Sequence, residues 1–246
     1  MSIKKHIPNI VTLGNLFCGT LATIFAVGGH FEMTALFVAL GIFLDFFDGF
    51  FARILNVSGE LGKQLDSLAD MVTSGVVPGI VLFVLLGNNQ QIPYEIDSES
   101  KFSMGLPLLG LLITLSACYR LAKFNLDTRQ SESFIGLPTP AMSLFIVSLP
   151  LVQMHSDIDF VKDLIGNNYF LIAITILFSF LMNSEFHLFS LKFKNYGIRE
   201  NLFKYTLILL SIILLMTIKY LAVPVIIMSY ILLSILNNFK NTDIQN

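Results

Sequence analysis

Eight mostly apolar stretches follow one another along the chain, near residues 11–29, 33–54, 65–87, 103–124, 138–154, 167–184, 202–219 and 221–237, with polar residues gathered between them. A helix needs about 20 apolar residues to cross a bilayer core. The pattern therefore predicts an all-α fold, a polytopic transmembrane bundle of about eight spanning helices. Pro138, Pro140 and Pro150 lie near the ends of the fifth stretch and soften its limits. The last two stretches are separated by little beyond Lys219 and Tyr220, which predicts a tight helical hairpin, and Pro224 suits the first turn of its second arm. Residues 1–10 set Ile3, Ile7 and Ile10 beside Lys4, Lys5 and His6, the pattern of a short amphipathic interfacial segment.

Composition supports this layout. Of 246 residues 54% are hydrophobic and 13% charged, whereas a soluble domain carries about 25% charged residues. The net charge of −2 gives no reason to expect nucleic acid as a partner. Cys18 and Cys118 both lie in apolar runs and read as buried, non-bridging thiols. Lys4 and Lys5 precede Pro8 and a long apolar run without a clear cleavage site, which argues against a cleaved signal peptide. Basic residues orient the bundle. With the N-terminus inside, Lys4, Lys5, Arg53, Lys63, Arg120, Lys123, Arg129, Lys192, Lys194, Arg199, Lys204 and Lys240 are cytoplasmic, and Lys101, Lys162 and Lys219 are external. Both termini are then cytoplasmic.

Residues 45–70 break the apolar pattern with Asp45, Asp48, Arg53, Asp66 and Asp70. An aspartate at a membrane helix centre costs roughly 2.5–3.5 kcal/mol on insertion scales, so four of them require compensation. Asp45 and Asp48 are i, i+3 on one helix, and Asp66 and Asp70 are i, i+4 on the next. Asn56, Ser58, Gly59 and Glu60 read as the turn between them. An antiparallel pair would bring the four carboxylates into one pocket, where they would repel without a cation and form a hard oxygen cage with Mg²⁺ or Mn²⁺. Gly49 and Ala52 remove bulk beside that cage, and Arg53 offers a fixed cation for phosphate. Solvated carboxylates at a helix end and an ion pathway in a divalent-cation transporter are the competing readings.

The full pattern, Asp45-x2-Asp48-Gly49-x2-Ala52-Arg53-x8-Gly62-x3-Asp66-x3-Asp70, resembles the signature of the CDP-alcohol phosphatidyltransferase family at every position and spacing. The resemblance implies a six-helix catalytic core within residues 11–184, followed by a linker and hairpin over 185–246. It also implies a homodimer, two divalent ions (Mg²⁺ or Mn²⁺), and transfer of a phosphatidyl or related group from a CDP-linked donor to an alcohol with release of CMP. Carried over by position, Asp45, Asp48 and Asp66 are metal ligands, and Asp70 is a ligand or the general base. Gly49, Ala52, Arg53 and Gly62 belong to the nucleotide and donor site.

Three further stretches are similar to the membrane-type, serine-using branch of that family: residues 7–19 with Asn9, Thr12 and Asn15, residues 120–125 with Arg120, Lys123 and Asn125, and residues 134–141 with Gly136, Pro138 and Pro140. They imply CDP-diacylglycerol as donor and L-serine as acceptor. A zwitterionic acceptor needs a cation for its carboxylate, and Arg120, Lys123 and Arg129 are candidates, with Asn125 orienting a polar group. Anchoring of the bundle by its positive side explains each cation equally well. Arg120, which interrupts an apolar run, serves either the acceptor carboxylate or the donor phosphates. Residues 136–140 read as a rigid loop at the pocket rim or as the start of a helix. Thr12 and Asn15 either touch the donor headgroup or cap the first helix. Other acceptors, such as glycerol 3-phosphate or an inositol phosphate, fit the same chemistry, and a non-catalytic lipid-binding scaffold is a third class. His6, His30, His155 and His187 show no ligand spacing and read as interfacial.

Overall fold

A computed structural model describes residues 6–57, 59–89, 105–127, 133–189, 197 and 201–245. Helix α1 (His6–Val27) and helix α2 (Phe31–Ile54) form a hairpin through Gly29, whose φ of 72° suits a residue without Cβ. Small residues on the facing sides, Cys18, Gly19, Ala22 and Ala26 on α1 and Thr34, Val38 and Gly41 on α2, are buried. Such residues let membrane helices approach closely, where van der Waals packing replaces the hydrophobic effect. Residues 6–10 continue α1 as its first turns, and residues 1–5 of the expected interfacial segment lie outside the described residues.

After a turn at Asn56 (φ 51°), the chain re-enters the bundle as one 30-residue rod. The rod comprises α3 (Glu60–Asp70), a π-helical segment (Met71–Val76) and α4 (Val77–Asn89). A wide π turn shifts the helix register and leaves carbonyls to be satisfied from outside. Hydroxyls of neighbouring helices do this: Thr114 donates to the Gly75 carbonyl at 2.9 Å and Ser143 to the Thr73 carbonyl at 3.4 Å. Thr114 belongs to α6 (Leu112–Leu126), reached through α5 (Gly105–Leu108) and a 3₁₀ turn at Leu109–Leu111. Ser143 belongs to α7 (Thr139–His155), the helix with the longest buried run, from Phe145 to Val152.

Then come α8 (Asp159–Ile165) and α9 (Asn168–Asn183), bent by 69°. Asn167 marks the bend by accepting the Tyr169 N–H at 2.8 Å, an N-cap for α9. The chain closes with α10 (Leu202–Ile218), a 3₁₀ turn at Lys219–Leu221 and α11 (Ala222–Gln245). Lys219 has φ 48°, and α10 and α11 are in contact.

Among the described residues, five helical stretches are long and apolar enough to cross a bilayer, or six if the bent α8–α9 pair is one span. The chain is thus an all-α, multi-pass integral membrane protein, with fewer full spans than the eight expected. Helix α7 has only 17 residues, α9 needs α8 to reach full length, and α10 and α11 run on as one 37-residue apolar stretch.

A two-stranded antiparallel ribbon was not expected. Strand β1 (Ser133–Ile135) pairs with β2 (His187–Phe189) in a register that sets Phe134 opposite Leu188. Beyond β1, Gly136 donates to the Phe186 carbonyl at 2.8 Å, and Leu137 donates to the Leu181 carbonyl at 2.9 Å near the end of α9. Tyr230 and Asn238 of α11 donate to the carbonyls of Phe189 and His187 at 3.0 and 2.6 Å. Residues 136–138 are therefore a docked strap, and Thr139 and Pro140 form the start of α7. Gly136 has φ 74°, and a Cβ there would collide with the Met182 carbonyl. Gly136→Ala should lower the thermal unfolding midpoint of detergent-purified protein, reflecting roughly 1–3 kcal/mol of strain. Gly105→Ala, whose Cβ meets nothing within 4 Å, should not lower it, and equal midpoints would contradict the docked strap.

Candidate active site

Beyond the turn at Asn56 the chain returns as α3, which packs mainly on α1 and brings Asp66 beside Asp45 and Asp48. Each of Asp45, Asp48 and Asp66 offers a carboxylate oxygen, and these oxygens lie within 4.8 Å of one another. Asp48 is buried, and Asp45, Asp66 and Asp70 are half-buried. Asp70 stands outside the compact triad but close enough for its charge to act on Asp45.

Each carboxylate has a different setting. Asp48 Oδ2 accepts from the Thr12 hydroxyl at 2.5 Å, and the same hydroxyl lies 3.0 Å from the Pro8 carbonyl. Asp70 Oδ1 accepts from Asn15 Nδ2 at 3.2 Å. Asp45 Oδ1 is buried with no hydrogen-bond partner among the described residues. Buried polar atoms almost always have one, so an orphaned carboxylate oxygen beside two others fits a divalent ion held by hard oxygen donors. Such an ion answers the repulsion that the three carboxylates otherwise exert on one another.

The donor-site candidates lie on the same two helices. A Cβ added at Gly49 would meet no atom nearer than Arg53 Nη2 at 4.0 Å, so the space over this turn is open. Arg53 is exposed and donates from Nε to the Gly49 carbonyl at 2.9 Å, which lays its guanidinium along the α2 surface. Ala52 is half-buried, and Gly62 lies beside Asn9 Oδ1.

The acceptor-site candidates divide. Arg120 is 6% exposed, its charge reaches Asp70, and it sits 5.8 Å from the Phe124 ring centroid. Its Nη2 donates to the Gly136 carbonyl at 3.4 Å, while Nε has no partner among the described residues. Lys123 instead pairs with Glu185 at 2.6 Å. Asn125 donates to Ser67 at 2.8 Å and takes Lys63 on its carbonyl at 2.5 Å, a clasp between α6 and α3. Arg129 lies outside the described residues. The structure thus brings Arg120 to the aspartates and gives Lys123 and Asn125 other partners.

Thr12 and Asn15 do something the sequence reading did not foresee. Neither caps α1, which is already helical at His6. Both are buried against the aspartate helices. Thr12, Asn15 and Gly19 fall at i, i+3 and i+7, one face of the helix, and that spacing was the available signal.

Fold and site together define a multi-pass membrane protein with a carboxylate centre suited to a divalent cation. The chain belongs to the CDP-alcohol phosphatidyltransferase family, which it matches over residues 5–181. It is 36% identical over 149 residues to a CDP-diacylglycerol–serine O-phosphatidyltransferase of Bacillus subtilis, covering 59% of this chain and 75% of that protein. It is 32% identical over 148 residues to the enzyme of the same name from Helicobacter pylori, covering 59% and 57%. An archaetidylserine synthase of Methanothermobacter thermautotrophicus is 27% identical over 155 residues, covering 62% and 60%. The chain therefore spans less than two thirds of the latter two relatives.

If the triad holds the ion, Asp48→Asn should weaken Mn²⁺ binding, followed by electron paramagnetic resonance, by at least about tenfold. Lys123→Ala, whose ammonium is engaged by Glu185, should leave it unchanged. Undiminished Mn²⁺ affinity in Asp48→Asn would exclude the triad as the binding centre.

Proposed function

We propose that the chain transfers the phosphatidyl group of CDP-diacylglycerol to the hydroxyl of L-serine, forming phosphatidylserine and CMP. The observation that carries this reading is the Asp45, Asp48 and Asp66 triad, with its unpartnered Asp45 oxygen, inside a complete family signature. Asp45, Asp48 and Asp66 would hold Mg²⁺ or Mn²⁺, two ions in the family's pattern. When bound, these ions neutralise the donor's pyrophosphate charge.

The chain's own groups supply the rest. Gly49 and Ala52 leave room over α2 for the nucleotide, Gly62 borders it from α3, and Arg53 balances phosphate charge at its edge. Asp70, outside the triad and held through one oxygen by Asn15, takes the proton of the acceptor hydroxyl. The serine oxygen so deprotonated forms the new bond to the phosphorus bearing diacylglycerol, and the bond from this phosphorus to CMP breaks. CMP leaves with the electron pair as a phosphate monoester. Serine as acceptor is supported by the names of the relatives and by Arg120, whose buried guanidinium keeps Nε unpartnered near Asp70 and suits a carboxylate.

The same reading places the aspartate end on the cytoplasmic side. Arg53, Lys63 and Lys123 gather at that end, while Glu32 lies at the start of α2 and Asp157, Asp159 and Asp163 lie in and before α8, beyond the far end of α7. Residues 11–184 would form the catalytic core, supported by a family match that stops at 181, with a linker and hairpin over 185–246. A homodimer in the bilayer completes the proposal.

The test is CMP release from CDP-diacylglycerol by purified protein, with L-serine, glycerol 3-phosphate or an inositol phosphate offered separately. Serine-dependent release that EDTA abolishes is expected. Asp66→Ala and Asp70→Ala should each lose about 10²-fold or more in kcat. Release with another alcohol alone would overturn the acceptor, and full activity of Asp66→Ala would overturn the site.

A further inference from the structure

Asn15 and Thr73 belong to no part of the aspartate signature, yet both are fully buried beside it, at 0% exposure. Thr73 lies in the π-helical segment that directly follows Asp70. Its hydroxyl is 2.8 Å from Asn15 Oδ1 and 3.2 Å from the Asn15 carbonyl. On the other side of the amide, Asn15 Nδ2 donates to Asp70 Oδ1 at 3.2 Å.

The chain of donors has one sense. Thr73 has a single hydroxyl proton to give, and giving it to Oδ1 commits the amide to present Nδ2 toward Asp70. The reverse orientation would set the amide oxygen against an ionised carboxylate. The backbone is shaped around this contact. A Cβ at Gly41 would lie 2.8 Å from both Asn15 Oδ1 and Thr73 Cγ2, and one at Gly19 would strike the Thr73 hydroxyl and backbone. Helices α1, α2 and the π turn can converge on the Asn15–Thr73 pair only because those two positions carry no side chain. Ser143 of α7 also donates to the Thr73 carbonyl. An amide and a hydroxyl in a membrane interior must be satisfied there, and this pair is satisfied in the one arrangement that grips Asp70.

The geometry points to Asn15 and Thr73 as positioning residues for Asp70. Thr73 fixes the Asn15 amide, and Asn15 fixes one Asp70 oxygen, leaving Oδ2 to meet the acceptor hydroxyl. This deepens the transfer reading and rests on it. Placement errors of about 1 Å at a reacting group cost on the order of 10²-fold in rate. Removing one link of the chain should therefore lower turnover, with less effect on donor or acceptor binding. Asp45, Asp48 and Asp66 form their own group, so ion binding should not follow.

The experiment uses the full-length protein in detergent with Thr73→Val, a near-isostere lacking the hydroxyl, and Thr73→Ser, which restores it. Thr73→Val should lower kcat by about tenfold or more, with KM for both substrates and Mn²⁺ affinity held within about twofold. Thr73→Ser should recover most of the rate. Asn15→Leu should show the same kcat loss, and adding Thr73→Val to it should cost nothing further, since both act through one chain. An infrared difference spectrum, with Asp70→Asn identifying the Asp70 carboxylate bands, supplies a readout free of turnover. Those bands should shift in Thr73→Val and return in Thr73→Ser. Unshifted bands overturn the proposal, as does a Thr73→Ser protein as slow as Thr73→Val, or a loss lying wholly in KM. Mn²⁺ affinity falling in step with kcat would also overturn it by making the pair a support of the ion. If Thr73→Val does not fold, Thr73→Ala gives the same comparison. A wild-type protein that releases no CMP with any alcohol overturns the transfer reading alone, and the infrared bands then decide the positioning of Asp70.

Discussion

Four carboxylates at the end of a membrane bundle must be compensated, and much of the structure near them follows from that need. Removing a charge from water costs several kcal/mol even after relaxation, which paired charges and hydrogen bonds only partly return. The protein divides the burden. Thr12 donates to Asp48, Asn15 donates to Asp70, and the Arg120 guanidinium balances Asp70 from α6. Among the described residues Asp45 keeps a buried oxygen without a partner, and it forms a compact triad of carboxylates with Asp48 and Asp66.

The arrangement depends on the π turn after Asp70. In a regular α-helix each carbonyl is claimed four residues on. Here the carbonyls of Thr73 and Gly75 are claimed by Ser143 and Thr114, so α7 and α6 are tied to the segment that also sets Asn15. Helix α6 carries Arg120, and α7 follows the strap whose Gly136 carbonyl receives that arginine. The aspartate end, the buried Arg120 and the strap are thus joined through a few hydroxyls and one wide turn. The apolar residues around them set helix contact and face lipid.

Much of this was legible in the sequence. The apolar stretches all proved helical, because long runs without turn residues leave little alternative in a membrane. The aspartates stood out because nothing in an apolar segment excuses a carboxylate. Thr12 and Asn15 were harder, since a polar residue near an expected helix start has a simpler explanation as a cap. Helix α1 is already formed at His6, which puts both residues inside it. The π turn spans Met71–Val76, and its one local signal is Pro78, which has no N–H to give to the carbonyls of Ser74 or Thr73. The β-ribbon is three residues a side, too short for an alternating pattern, and it exists because Gly136 and Leu137 dock on the end of α9 and the loop beyond it. Lys123 and Asn125 looked like ligands for an acceptor because only their position was visible. Their partners Glu185 and Ser67 are 62 and 58 residues distant in sequence.

The central claim is that Asp45, Asp48 and Asp66 form the cation centre of a phosphatidyl transferase. Anomalous diffraction at the manganese edge, from crystals grown with Mn²⁺ and CDP-diacylglycerol, tests it most directly. The account predicts an anomalous peak bounded by these three carboxylates, with the donor's pyrophosphate against it. A fully occupied Mn²⁺ peak elsewhere, or donor density away from the α2–α3 turn, would contradict it.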